Sequence, residues 1–225
     1  MPHVIAPTGG LLSNWNSKPM PGWPNWDTPV WGIADHVRVI RAALPSGKIS
    51  PDALAAVPRA IGTQPYAFAL FRPYLPEAFA WDGVLREGKT EPVRYSRLLD
   101  ALRRDLFVPV TGDLGSPDLL RTVVQEHVLL RALMGQTRVD YLRGRPAREV
   151  VAQLLPADGT AYVPGRIAYE STGLTFLNRG TYLQVAELGS TLRLRTALPP
   201  GVAEAGIHAT DQVPLAQAWE YKSLP

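Results

Sequence analysis

Cysteine is absent from the chain, which excludes disulfides, thiolate catalysis and every cysteine-ligated zinc or iron–sulfur centre. Histidine is scarce: His3, His36, His127 and His208 are the four present, and no two stand at a ligand spacing. No metal site is therefore expected. Long apolar runs are also missing, so no stretch reads as a membrane-spanning helix. Residues 1–10 carry neither Lys nor Arg and are broken by Pro2 and Pro7, unlike the basic start and apolar run of a secretory leader. The expectation is a soluble protein that makes no membrane contact, cytoplasmic or exported by a non-classical route. Lysine is rare too, 4 against 19 Arg, and the net charge is only +3. Nucleic acid is not expected as a partner on that balance. Neither a repeat nor a low-complexity tract is present, and the chain lacks a phosphate-binding glycine loop and a Gly-x-Ser-x-Gly elbow.

What is present is an ordinary globular composition. Hydrophobic residues make up 46% of the 225 residues and charged residues 19%, enough for a real core without staples. Residues 1–34 hold Trp15, Trp23, Trp26 and Trp31 among six prolines. Proline at that density precludes helix, so the segment reads as an extended arm whose indoles fill surface grooves or dock a partner.

From residue 35 the pattern turns helical. Residues 35–44 start at Asp35 and end before Pro45, while Ser50-Pro51-Asp52 is a cap with proline at the first helical position. Residues 65–81 are aromatic and proline-broken, which predicts buried irregular chain or very short helices. Residues 94–106 restore a 3.6-residue period through Leu98, Leu99, Leu102 and Leu106. Residues 116–134 read as one long apolar helix, capped by Ser116 and stopped by Gly135.

Residues 137–143, 161–169, 182–187, 191–196, 206–209 and 218–221 read as strands, with a short helix over 146–155. Helices first and strands afterwards predict an α+β fold: the arm at 1–34, a helical lobe at 35–136 and a strand-rich half at 137–225, forming one compact unit with the lobe.

Three pieces of that last part carry the candidate chemistry. Arg143 precedes Gly144 at a predicted strand end, where a guanidinium can hold a pyrophosphate through paired bonds. Ser171 and Thr172 follow Tyr169-Glu170 at a second strand end. Glu220 stands between Trp219 and Tyr221. A surface arginine, a plain turn and an exposed carboxylate are the bland readings of the same three.

In order and spacing, Tyr141-Leu142-Arg143-Gly144, Ser171-Thr172-Gly173 and Glu220, with the run over 192–202 and Ala205-Gly206-Ile207 before it, resemble the arginine-serine-glutamate class of ADP-ribosyltransferase toxins. The resemblance covers about the last 90 residues. It implies a C-terminal ADP-ribosyltransferase-like domain that consumes NAD, with Arg143 and Gly144 on the phosphates, Ser171 and Thr172 orienting the ribose, and Glu220 stabilising the oxocarbenium-like state. It implies as partners a protein or other macromolecular acceptor and, for a bacterial or phage toxin, an immunity protein. Ala218 stands where the family carries Glu or Gln, which leaves the acceptor open. The alternatives are a non-enzymatic interaction protein, such as a phage or secretion-system component docking through the Trp-rich arm, and a different enzyme on an α+β layout.

If the arm covers the domain, deleting residues 1–34 lowers unfolding stability by several kcal/mol, because each buried aromatic contributes on the order of 2 kcal/mol. An unchanged melting temperature after deletion would assign the arm to a partner.

Overall fold

The structure is a computed structural model, and it describes residues 10–13, 37–65, 67–162, 183–197, 206–207 and 212–224. The Trp-rich arm outside residues 10–13 and all but residues 161–162 of the strand predicted over 161–169 lie outside the described residues, and those two residues are not strand. The chain divides into two compact units, one of residues 1–41 and 64–164 and the other of residues 42–63 and 165–225. Helices combine with a small three-stranded antiparallel sheet, so the class is α+β.

The first unit is built on its longest helix. Its elements are α3 (Phe68–Phe71) with a 3-10 turn at Arg72–Tyr74, α4 (Glu91–Thr111), α5 (Pro117–Val123), α6 (Glu126–Leu133) and α7 (Ala147–Leu154), preceded by α1 (Val37–Ala43), which runs across the boundary. On α4 the buried positions Val93, Tyr95, Leu98, Leu99, Leu102, Arg103, Leu106 and Phe107 recur at helical spacing, and α5, α6 and α7 all pack against it.

At one end the core is aromatic. Phe68 meets Trp81 edge-on with ring centres 4.5 Å apart and Tyr95 at 5.3 Å, a geometry that sets ring edges against ring faces. Trp81 keeps its indole N–H satisfied on the Val84 carbonyl at 3.1 Å. The expectation of buried, proline-broken chain and very short helices over residues 65–81 matches α3 and the 3-10 turn.

Two expectations in this unit need correction. The long helix over residues 116–134 is two helices, with extended backbone at Gln125 (φ −64°, ψ 163°) between them. Val123 and Val124 are both β-branched, which weakens helix propensity at that point. The Val124 carbonyl accepts instead from Arg103 Nε at 2.9 Å, so a tertiary bond replaces a helical one. Gly135 does end α6, in the left-handed region at φ 66°, with the Gln136 amide on the Arg131 carbonyl at 2.8 Å.

The predicted strand over 137–143 is a series of turns. Asp140 takes the amides of Arg143 (3.0 Å) and Gly144 (2.8 Å) onto its own carboxylate. A side chain that captures backbone N–H groups removes them from any ladder, and here it overrides the alternating pattern.

The second unit contains α2 (Pro51–Gly62), β1 (Leu183–Glu187), β2 (Arg193–Ala197), α8 (Val213–Ala218) and β3 (Lys222–Leu224). Ser50 caps α2 through the Ala53 amide at 3.1 Å with Pro51 in the first turn. The strands lie in the order β1-β2-β3, with Val185 opposite Arg195 and Arg195 opposite Ser223. The strands predicted over 182–187 and 191–196 are β1 and β2 within a residue or two. Residues 218–221 are not a strand, and Gly206-Ile207 is a turn. Ala218 ends α8, Trp219 turns the chain at φ 59°, and the Glu220 amide closes on the Leu215 carbonyl at 2.8 Å.

A tryptophan in the left-handed region is strained, because its Cβ crowds the backbone. Compensation comes from Gly62, where a Cβ would run into the far edge of the Trp219 indole. Tyr221 adds a hydrogen bond from its hydroxyl to the Ala55 carbonyl at 2.9 Å, and Arg195 pairs with Asp52. Gly62→Ala should therefore lower the stability of this unit by about 1–3 kcal/mol through overpacking, read by urea unfolding. A change below about 0.5 kcal/mol would show that the indole shifts freely, since tight overpacked sites do not absorb a methyl at so little cost.

Candidate functional site

Charged side chains gather along α4 in two clusters, both in the first unit. In the first, Asp100 is shared. Its carboxylate accepts from Arg103 Nη1 at 3.0 Å on its own helix, and from Arg121 of α5 through Nε at 2.9 Å and Nη2 at 2.6 Å. The Arg121 contact is two-pronged, the arrangement that suits a planar guanidinium to a carboxylate. Arg121 reaches Asp118 as well, at 2.8 Å. Asp100 above all, and Asp118 after it, raise the Arg121 pKa beyond its ordinary value, so the cation is permanent.

Helix periodicity builds this arrangement. Asp100 and Arg103 stand one turn apart on α4, and Ser116 with Pro117 sets the start of α5 so that Arg121 lies alongside. Asp100, Arg103, Arg104, Pro117, Leu120 and Arg121 line a shallow depression with room for little more than a water molecule.

Glu126 sits at the first position of α6 beside Arg103. The residue as a whole is half-buried, yet its Oε2 atom is closed to solvent and takes no hydrogen bond. Arg103 gives Nε to Val124 and Nη1 to Asp100 and makes no hydrogen bond to that atom. Burial pushes the Glu126 carboxyl up to about 7, opposed only in part by Arg103. A carboxyl kept neutral that far up is able to donate a proton near neutral pH. The neighbouring His127 is shifted the other way, below its ordinary value, by burial first and by Arg131 second.

The second cluster centres on Asp105. Pro109 lies inside α4 and has no N–H, so the Asp105 carbonyl one turn earlier loses its helical donor. Arg143 Nη2 supplies one at 3.1 Å. The Asp105 carboxylate accepts from Arg145 Nη2 at 2.5 Å and lies 3.5 Å from Arg143 Nη2. Tyr141 stacks on Phe107 with ring centres 4.2 Å apart, which seats the turn on the helix.

Of the residues predicted to hold NAD, Arg143 is in this turn with positive φ (54°), and Gly144 follows at φ 73°. Ser171 and Thr172 lie outside the described residues. Glu220 is exposed in the second unit, between α8 and β3. Sequence reasoning passed over Asp100, Asp105 and Glu126. A visible signal was Pro109 four residues after Asp105, which leaves a carbonyl in need of a donor.

Among the described residues, no group of three His, Asp or Glu stands together as metal ligands, and no helix is long and apolar enough to cross a membrane. Between described residues, the hydroxyls of Ser50, Thr63, Thr111, Ser116, Thr122 and Thr137 bond to backbone groups, and that of Ser13 accepts from Arg41 at 3.3 Å. No hydroxyl there is paired with a base, so the described residues hold no nucleophile activated in that way.

No protein-family model matches the sequence, and no curated protein matches it. Among solved structures, the chain is similar to a thermostable penicillin G acylase from Alcaligenes faecalis, with a TM-score of 0.69 and 18% identity, over 97% of this chain and 54% of the acylase chain. At that identity the likeness is one of fold. The chain spans about half the length of the acylase chain it matches.

The two ion pairs of Arg121 should differ in worth. Asp118 is 77% exposed at its side chain against 18% for Asp100. Asp118→Ala should cost about 0–1 kcal/mol, and Asp100→Ala, which takes the shared carboxylate from a buried Arg103 and a half-buried Arg121, about 2–3 kcal/mol. Equal losses in urea unfolding would contradict this account.

Proposed function

We propose that this chain is the acylase-like portion of an enzyme that hydrolyses acyl amides, and that its role there is to frame the active centre while the attacking group is supplied from outside the described residues. The observation that supports the reading is the fold likeness to penicillin G acylase over nearly the whole chain. Its partial share of the acylase chain, and the lack of a base-paired hydroxyl between described residues, argue for a framing role. The reaction is addition of water across an amide, releasing a carboxylate and an amine.

The NAD reading rests on residue order alone. Arg143, its phosphate ligand, already serves the Asp105 carbonyl and stands 3.5 Å from its carboxylate. A pyrophosphate would have to compete for that guanidinium, and the stacked Tyr141 holds the turn in place.

One preparation decides between the two. The protein is isolated in native form from its source and incubated with penicillin G, with a panel of other N-acyl amides, and separately with NAD. Release of a primary amine without release of nicotinamide is expected. Nicotinamide release with no amine from any amide would overturn the proposal and restore Arg143 and Glu220 as candidates. The purified 225-residue chain alone should release neither; amine release by it would contradict the framing role.

A further inference from the structure

The junction of α5 and α6 combines features that the acylase reading does not use. Val124 and Gln125 interrupt the helices, and the Val124 carbonyl is held by Arg103 of α4. One residue after Gln125, an ionisable carboxyl has an oxygen shut off from water with no hydrogen bond. An unpaired buried carboxylate is costly, whereas the neutral acid is tolerated.

The charges around it are nearly balanced without it. On α4, Asp100 pairs with Arg103, and on α5, Arg121 pairs with Asp100 and Asp118. Two acids thus face two guanidiniums. Arg104, at the rim of the depression, is exposed. On α6 itself, the His127 pKa is lowered by burial first and by Arg131 second. Arg103 is the charged group that acts on Glu126, and its donors at Nε and Nη1 are already committed.

We propose that this junction is a proton-operated latch: protonated Glu126 stays sealed beside Arg103, and its ionisation draws the side chain out to water, opening the first turn of α6 and loosening the Arg103 hold on Val124. The inference does not depend on the acylase reading.

The sign follows from the raised carboxyl. Glu126 stabilises the closed state fully below its ordinary value of 4.5, and that contribution is lost as pH rises through about 7. His127, lowered by burial, acts oppositely, destabilising the closed state only where it would be protonated. Above its own range it is silent.

Amide hydrogen exchange, corrected for intrinsic rates, is measured over α6 at pH 6 and pH 8 on the wild type and Glu126→Gln. Wild-type protection at the start of α6 should fall severalfold between the two, and the Gln variant should show no fall, only the small rise that comes from His127 leaving its protonated range. The Glu126 carboxyl of the wild type, followed by carbon NMR, should titrate near 7, which keeps the test independent of the variant. A carboxyl midpoint in the ordinary range, protection that does not change with pH, or an equal fall in Glu126→Gln would each overturn the latch.

Discussion

The apolar seam of α4 is the constraint on which the first unit depends. Leu98, Leu102 and Leu106 are fully buried on one face, and α5, α6 and α7 exist as packed elements because each covers part of it. Such short helices are marginal in isolation. Their stability comes from burial against the long helix, and at roughly 25 cal/mol per Å² of apolar surface that burial outweighs any single polar contact in the unit.

Polar groups along the same helix then decide register and not bulk stability. Asp100 and Arg103 emerge at the edge of the seam and meet Arg121, which fixes where α5 lies; Asp105 meets Arg143 and Arg145, which fixes the turn that follows α6. Pro109 is part of this logic. By removing one helical donor it leaves a carbonyl that only an outside group can satisfy, and the turn over residues 137–145 is folded so that Arg143 reaches it. The positive φ of Arg143 is the local strain that accompanies this reach. Nucleotide phosphates and a proline-freed carbonyl ask for the same chemistry from an arginine, so the residue type alone could not separate a binding role from a structural one.

That ambiguity marks how far the amino-acid sequence could be read. Helical period and capping were legible where both agreed: Ser50-Pro51 for α2, the leucines of α4, Ser116-Pro117 for the start of α5 and Gly135 after α6. The hairpin strands β1 and β2 were legible from alternation. Tertiary bonds were not. The break at Val124 depends on Arg103, 21 residues earlier; the turn at Asp140 depends on a carboxylate taking two amides; and the chain after α8 turns on Trp219 in the left-handed region, its indole packed where Gly62 lacks a Cβ. Glu126 fell inside what reads as one continuous apolar helix over residues 116–134, so neither its place at a helix start nor its burial was legible. Its sealing depends on what covers it, which no local pattern encodes.

If α4 is the element that holds the first unit together, local openings should spare it, since the slowest-exchanging amides report the last structure to unfold. Native-state hydrogen exchange across the whole chain measures this directly. Within the first unit, the amides of Leu98 to Phe107 should exchange most slowly, with α5, α6 and α7 opening at lower free energy. Finding the slowest amides of that unit in α6 or α7, with the centre of α4 exchanging early, would contradict the account.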